Sequence, residues 1–375
     1  MIQRNTLEIL EFTKLLKLIS EFAYSDISRD MVLQAKPLTS KEEIENRFGQ
    51  IAEIRRLRQE GDPLRISHFE DVSNLLVKLK PKDAILDGQE LAYFIPVFDI
   101  ANDIVLQLKN KTDLRRLHEL TFQMTGMPEL LQTIRRSIDS EGMILDSASF
   151  LLADIRKRIH KLENTIRKKI EEITRDERIS VFLQDEFITK RSGRWVIPVR
   201  MDSKGMVQGI VHDVSKSGET AFIEPLSIIH LANELENLIA DQKAEEIRIL
   251  RGICSLMRNV LPVIEHEFRI VVYLDFLHAI AQCADLLSME TPQINDSQVI
   301  QIVQARHPIL EMAIRKMNDG QTVVPLDIRL GDDQRIMVIT GANAGGKTIA
   351  IKTIGLLLRN TGQVIIQRDE PAAVS

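Results

Sequence analysis

Apolar residues recur at helical spacing through most of the chain. Leu7, Leu10, Leu15, Leu18 and Phe22 fall on roughly one helical face. Ser40 with Glu43 three residues on is a capping-box start, and Gly61 marks the stop of that helix. Asp87-Gly88 precedes another helix. Residues 1–145 therefore read as a helical core, with short breaks and no catalytic cluster.

Residues 146–179 read as one long helix. Ile155, Ile159, Leu162, Ile166, Ile170 and Ile173 make a narrow apolar seam on a charged rod, as in an antiparallel coiled coil. From 155 to 179 the rod would span roughly 37 Å. Asp154, Glu163, Glu171, Glu172, Asp176 and Glu177 read as its solvated face.

The period then changes to alternation with β-branched residues and turn signals at Ser192-Gly193, Ser203-Lys204-Gly205 and Lys216-Ser217-Gly218. This predicts three or four short antiparallel strands over 181–224, with Pro198 at an edge or bulge. Helix returns at about 225. Ile228, Leu231, Leu235 and Leu238 rebuild a seam that lapses near Gln242 and resumes at Ile247, Leu250 and Cys254. Residues 146–265 are thus a small β cap between two long helices, 146–179 and 225–260. A returning helix and linker cover 266–298, ending in TPQINDSQ. Strand-like runs VIQIVQARHP, TVVPLDIRL and RIMVIT follow in 299–375, with Asn318-Asp319-Gly320 and Gly331-Asp332-Asp333 as turns.

Composition narrows the class. The 375 residues are 44% hydrophobic and 27% charged, which describes a globular protein; a net charge of −5 confines any basic surface to a local patch. Cys254 and Cys283 lack zinc-ligand spacing and read as buried thiols of a reducing, cytoplasmic compartment. No uninterrupted run of 18 apolar residues exists, so no membrane span is expected.

The last strand-like run leads into Gly341-Ala342-Asn343-Ala344-Gly345-Gly346-Lys347-Thr348, which fits G-x-x-x-x-G-K-[ST]. Glycines permit positive φ and let backbone N–H groups close on phosphate oxygens. Lys347 would reach the β- and γ-phosphates of ATP, and the Thr348 hydroxyl would hold Mg²⁺. The following KTIAIKTIGLLL reads as a helix whose N-terminus faces the same anion. The fold class is mostly α, with a small β clamp and the beginning of a P-loop α/β domain.

LEILEFTKLLKLISEFA at 7–23, GRWVIPVR at 193–200, GIVHDVSKSGETAFIEP at 209–225, ARHPIL at 305–310 and TGANAGGKT at 340–348 resemble the MutS family of DNA-processing ATPases, closest to its bacterial MutS-two branch. The resemblance covers roughly 1–358. It implies a helical core and lever, a clamp on long helices, and an ABC-type ATPase domain. It implies homodimers with composite ATP sites and branched or non-specific DNA as partner. Ribosomes or ribosomal RNA are a second partner class. Mismatch reading is not implied, because the sequence starts in the core helices.

The family usually has Pro where Ala342 stands. Its magnesium-binding acidic strand end, signature loop and nuclease domain find no counterpart here, and after Leu358 the text departs from the family's helix. The expectation is a truncated or frameshifted product without ATP turnover or nuclease activity. The alternative is a non-catalytic nucleic-acid or ribosome-binding module.

Lys190, Arg191, Arg194, Arg200, Lys204 and Lys216 in the cap form a candidate phosphate-backbone patch, or an ordinary solvated surface. Trp195 would fill the cap's core or stack a base. His212-Asp213, with Ser215 or Ser217 nearby, reads as a structural turn because no nucleophile elbow accompanies it. His307-Pro308 reads as packing, or as a neighbour of the nucleotide base.

Overall fold

The computed structural model describes residues 4–36, 38, 40–185, 187–294, 299–317, 321–331, 334, 336–342 and 345–360. The turns expected at 318–320 and 332–333, Asn343, Ala344 and residues 361–375 lie outside them. Nine helices come first: α1 Arg4–Ile9, α2 Phe12–Ser20, α3 Asp26–Leu33, α4 Lys41–Gln59, α5 Ser73–Leu79, α6 Gly88–Ala92, α7 Phe94–Leu108, α8 Arg115–Thr121 and α9 Pro128–Ser137. Next are α10 Phe150–Arg175 and α11 Glu177–Ser180. Strands β1 Thr189–Arg191, β2 Arg194–Arg200, β3 Gly209–Val214 and β4 Thr220–Pro225 follow, then α12 Ile229–Asn259 and α13 Leu261–Leu286. The order closes with β5 Ile300–Ala305, α14 Pro308–Met317, β6 Leu326–Leu330 and α15 Lys347–Asn360. The fold is mostly α with small antiparallel sheets. Residues 1–80, 93–131 and 257–375 form one compact unit, and 81–92 with 132–256 form another.

In the first unit α13 is the central helix. It carries apolar side chains on nearly every side, the pattern of a helix that must be surrounded. Helices α2, α3, α4 and α7 pack on it. Several of its buried polar groups are partnered, although Glu267 Oε2 and His278 Nδ1 have no hydrogen-bond partner among the described residues. The Asp275 carboxylate accepts from Tyr24 N at 3.1 Å, Ser25 N at 3.1 Å and Ser25 Oγ at 3.0 Å, at the start of α3. Burial pushes Asp275 above the usual carboxylate range, against the opposing pull of those donors. Glu267 accepts from Thr125 N and Gly126 N, both at 2.9 Å, ahead of α9. His278 Nε2 accepts from Arg58 Nη1 at 3.2 Å and Gln282 Nε2 at 3.0 Å. Guanidinium only donates, so His278 is neutral with its proton on Nδ1. Burial lowers its pKa to about 4.

Gly88–Leu108, which takes in α6 and α7, is long and apolar enough to cross a membrane, with a mean hydropathy of 1.4. It is not an uninterrupted apolar run, since Glu90, Asp99 and Asp103 fall within it. Phe94, Val97, Phe98, Ile100, Ala101 and Ile104 of α7 are buried, as in a core helix.

In the second unit the expected seam is present. Ile155, Ile159, Ile166 and Ile170 of α10 share one apolar core with Leu235 and Leu238 of α12 and Ile197, Val199, Ala221 and Ile223 of the cap. The α12 seam differs from the sequence reading: Ile247 is exposed, whereas Ile249, Ile253 and Cys254 are buried. The apolar seam lapses between Leu238 and Ile249, as expected, and polar residues take its place. Glu245 is buried, accepting from Ser149 Oγ at 2.6 Å and from Arg248 Nε at 2.7 Å. Ser149 also caps α10 by accepting from Leu152 N. Arg156 bridges Asp146 at 2.6 Å and Glu246 at 3.0 Å, joining the two rods again.

The cap sheet has the order β1-β2-β4-β3, all antiparallel. Ser192 and Gly193 have φ of 50° and 80°, the double left-handed turn of a two-residue hairpin between Arg191 and Arg194. Pro198 is not on an edge strand. It lies in β2 beyond the end of the β1 pairing, and its carbonyl accepts from Gln184 N at 2.9 Å.

Candidate functional site

Lys347 opens α15, and Ala350 N donates to Gly346 O at 3.0 Å as the first bond of that helix. The N–H groups of Lys347, Thr348 and Ile349 therefore have no intrahelical partner and converge on the loop. Gly341 has φ of 146° and Gly346 of 80°, and a Cβ at either would meet nothing within 4 Å. These are open left-handed positions that favour glycine. Gly345 N donates to Ala342 O at 3.0 Å, closing the turn. Lys347 Nζ donates to Gly341 O across the loop, and Thr348 is exposed. A helix N-terminus, open glycines and an ammonium in one place make an anion cradle.

The strand expected to deliver the chain into this loop is not formed. Residues 336–340 pair with no strand among the described residues; Ile336 is 84% and Val338 77% exposed. Alternating β-branched residues become a strand only when a neighbour satisfies their N–H and C=O groups. The described sheet nearest in sequence, β5 with β6, is paired within itself.

The helix is nevertheless anchored. Leu357 is buried with Ile302, Ala305 and Ile328 of the β5–β6 sheet, and Ile354 packs on the same group. Gly355 meets Leu10 so closely that an added Cβ would lie 2.6 Å from Leu10 Cδ2. Beside it, Glu11 accepts from Lys14 at 2.8 Å and faces Lys352 at 3.5 Å. His307 is fully buried, and neither ring nitrogen has a hydrogen-bond partner among the described residues. Burial lowers its pKa, so it is a neutral imidazole 3.9 Å from Glu11 Oε2.

In the cap the candidate basic residues are mostly engaged. Arg194 pairs with Glu224 at 3.4 Å and Glu236 at 2.8 Å. Lys190 pairs with Glu163 at 3.1 Å and lies 4.5 Å from the Trp195 ring centre. Arg191 pairs with Asp213 at 3.5 Å and covers Phe222. Arg200 donates to Val181 O at 2.5 Å. Lys204 and Lys216 are exposed. Trp195 packs on the cap core. His212 is not in a turn. It is the extra residue of a β-bulge in β3, and its Nε2 lies 2.7 Å from buried Glu224 Oε2. The sequence reading missed this Arg194–Glu224–His212 group.

Cys254 and Cys283 are buried and form no disulfide; burial pushes the Cys283 thiol up to about 12. Among the described residues no three His, Cys, Asp or Glu side chains gather to hold a metal.

No protein-family model matches the chain. It is 34% identical to the Endonuclease MutS2 of Listeria welshimeri serovar 6b over 391 aligned positions, which take in 98% of this chain and 46% of the relative. The Endonuclease MutS2 of Lactobacillus helveticus is 34% identical, covering 94% of this chain and 44% of the relative. That of Pediococcus pentosaceus is 33% identical over the same shares, 94% and 44%. The chain spans about half the length of these curated relatives. Over the part it spans, it belongs to the MutS2 family.

Proposed function

We propose that this chain is the ATP-binding, nucleic-acid-clamping half of a MutS2-type protein. The observation that carries the reading is the start of α15: open Gly341 and Gly346, Lys347 reaching across to Gly341 O, and first-turn N–H groups without intrahelical partners. Gly341, Gly345 and Gly346 would admit the phosphates, Lys347 would turn from Gly341 O to the β- and γ-oxygens, and the Thr348 hydroxyl would ligate Mg²⁺. The metal would supply neutralisation of phosphate charge.

Capture without turnover is the activity proposed for these 375 residues. The sequence carries no carboxylate between Asp333 and Asp369, so neither the loop nor α15 offers an acidic metal ligand or a base for water. Homodimers, cytoplasmic location and DNA or ribosomal RNA as partners are further parts of the proposal. Their support is the MutS2 relationship and the exposed Lys204 and Lys216 on the cap.

Calorimetric titration of the full chain with Mg²⁺-ATP tests the reading. Binding lost in Lys347→Ala, without ATP hydrolysis, supports it. Hydrolysis that survives purification and disappears in Lys347→Ala overturns the capture-only part, and no binding overturns the whole. For the cap, changing Lys204 and Lys216 to Ala should reduce the log–log salt slope of DNA binding by about 0.9 per lost phosphate contact.

A further inference from the structure

Helix α13 is apolar nearly all round, yet one stripe of it lies open. Glu265, Arg269 and Tyr273 fall on that stripe, above buried Phe268, Val272 and Phe276. Met31 of α3 and Val77 of α5 rise on its two sides, and Val77 is 63% exposed. The trough between them has a volume of 980 Å³. From 265 to 276 it runs roughly 16 Å, about three helical turns. The α13 floor is buried beneath Glu265, Arg269 and Tyr273, and the exposed apolar surface lies on the walls at Met31 and Val77, so the trough offers apolar flanks along about three turns for a helix to enter.

Its charge is as informative as its shape. Lys36, Arg47 and Arg269 line the trough, and none has a carboxylate within ion-pair distance among the described residues. Arg47 Nε is buried without a hydrogen-bond partner, and its guanidinium stands 5.6 Å from the Phe276 ring centre. Of the two acidic groups in the lining, Glu265 is paired with Lys80 at 3.0 Å, which leaves Asp30. The cations are spread along the trough. Arg47 sits at Phe276, seven residues from Arg269, roughly 10 Å along α13. That separation matches carboxylates two turns apart on a facing helix; one anionic headgroup would need the cations gathered at one end.

We propose that this trough seats an acidic amphipathic helix of a partner protein, with apolar side chains at i, i+4 and i+7 between Met31 and Val77 and carboxylates two turns apart against Arg47 and Arg269. The mode is helix-in-groove recognition with electrostatic selection of the partner.

The test uses the full 375-residue chain and a fluorescein-labelled 15-residue peptide with Leu at i, i+4, i+7 and i+11 and Glu on the flanks. A second peptide has Lys in place of every Glu. Anisotropy should report binding of the Glu peptide only. Arg269→Glu and Val77→Asp, both at exposed positions, should each weaken it about tenfold. Arg269→Glu should acquire binding of the Lys peptide, a reversal that misfolding cannot produce. No binding, equal binding of both peptides, or insensitivity to Val77→Asp would overturn the proposal. So would palmitate binding in preference to the Glu peptide.

Discussion

Lys352 of α15 sets its ammonium 3.5 Å from the Glu11 carboxylate, and Glu11 is held at a φ of 59° in the break between α1 and α2. A left-handed glutamate costs on the order of 1 kcal/mol relative to a helical one. It persists here because Lys14, Lys352 and the buried His307 surround its side chain. The helix that opens at the 341–348 loop is thereby seated on the first helical corner of the chain.

Glu11→Gln should lower stability by about 0.5–1 kcal/mol, since the pairs are partly exposed. The hydrogen bond from Lys14, and then the charge of Lys352, hold the Glu11 carboxyl below the usual range. Its contribution is therefore present above pH 4.5 and is lost as pH falls through the lower, folded value. Urea unfolding at pH 7 and pH 3.5 should show the variant closer to the parent at the acid value.

Gly355→Val should destabilise the first unit by about 1–3 kcal/mol, because the added methyls enter the space of Leu10. Gly355→Ala should cost less, as helix propensity offsets part of the clash by ~1 kcal/mol. Leu10→Ala combined with Gly355→Val should cost less than the two changes added, which a double-mutant cycle of thermal unfolding measures.

His278 gives the protein an acid sensitivity with a defined window. Its folded pKa is about 4 against an ordinary 6.5, so between those values the unfolded chain takes up a proton that the folded one refuses. Stability should fall by roughly 3 kcal/mol across that span. His278→Gln, which can still accept from Arg58, should flatten the slope. It should not abolish it, because buried His307 acts in the same direction.

Glu224→Ala should unseat the β cap. Glu224 is almost fully buried between Arg194 and His212, and removing it leaves Arg194 with Glu236 alone. The cost should be about 3 kcal/mol. Limited proteolysis between 181 and 224 should accelerate, while the helices of the first unit keep their protection.

What was legible in the sequence was what repeats locally. The Ile155-to-Ile170 seam, the Ser40 cap and the Ser192-Gly193 hairpin each follow from spacing or from one residue's backbone preference. Three things were not legible. The Glu224 group depends on a bulge at His212 that brings it opposite β4, and no local pattern announces a bulge. Glu245 is buried where the apolar α12 seam lapses, which is tolerable only because Ser149 arrives from another helix. Residues 336–340 have strand composition but no described strand to pair with. For the candidate site, the loop's residue types were readable; its seat on Leu10 and Glu11 was not, because those residues lie at the opposite end of the chain.

Hydrogen exchange at the start of α15 is the most direct measurement of the central claim, that the 341–348 turn grips a triphosphate through its main chain. With saturating Mg²⁺-ATP, exchange of the Gly345, Gly346, Lys347 and Thr348 amides should slow markedly in the parent and not in Lys347→Ala. Unchanged exchange in the parent, or slowing confined to other segments, would contradict the account.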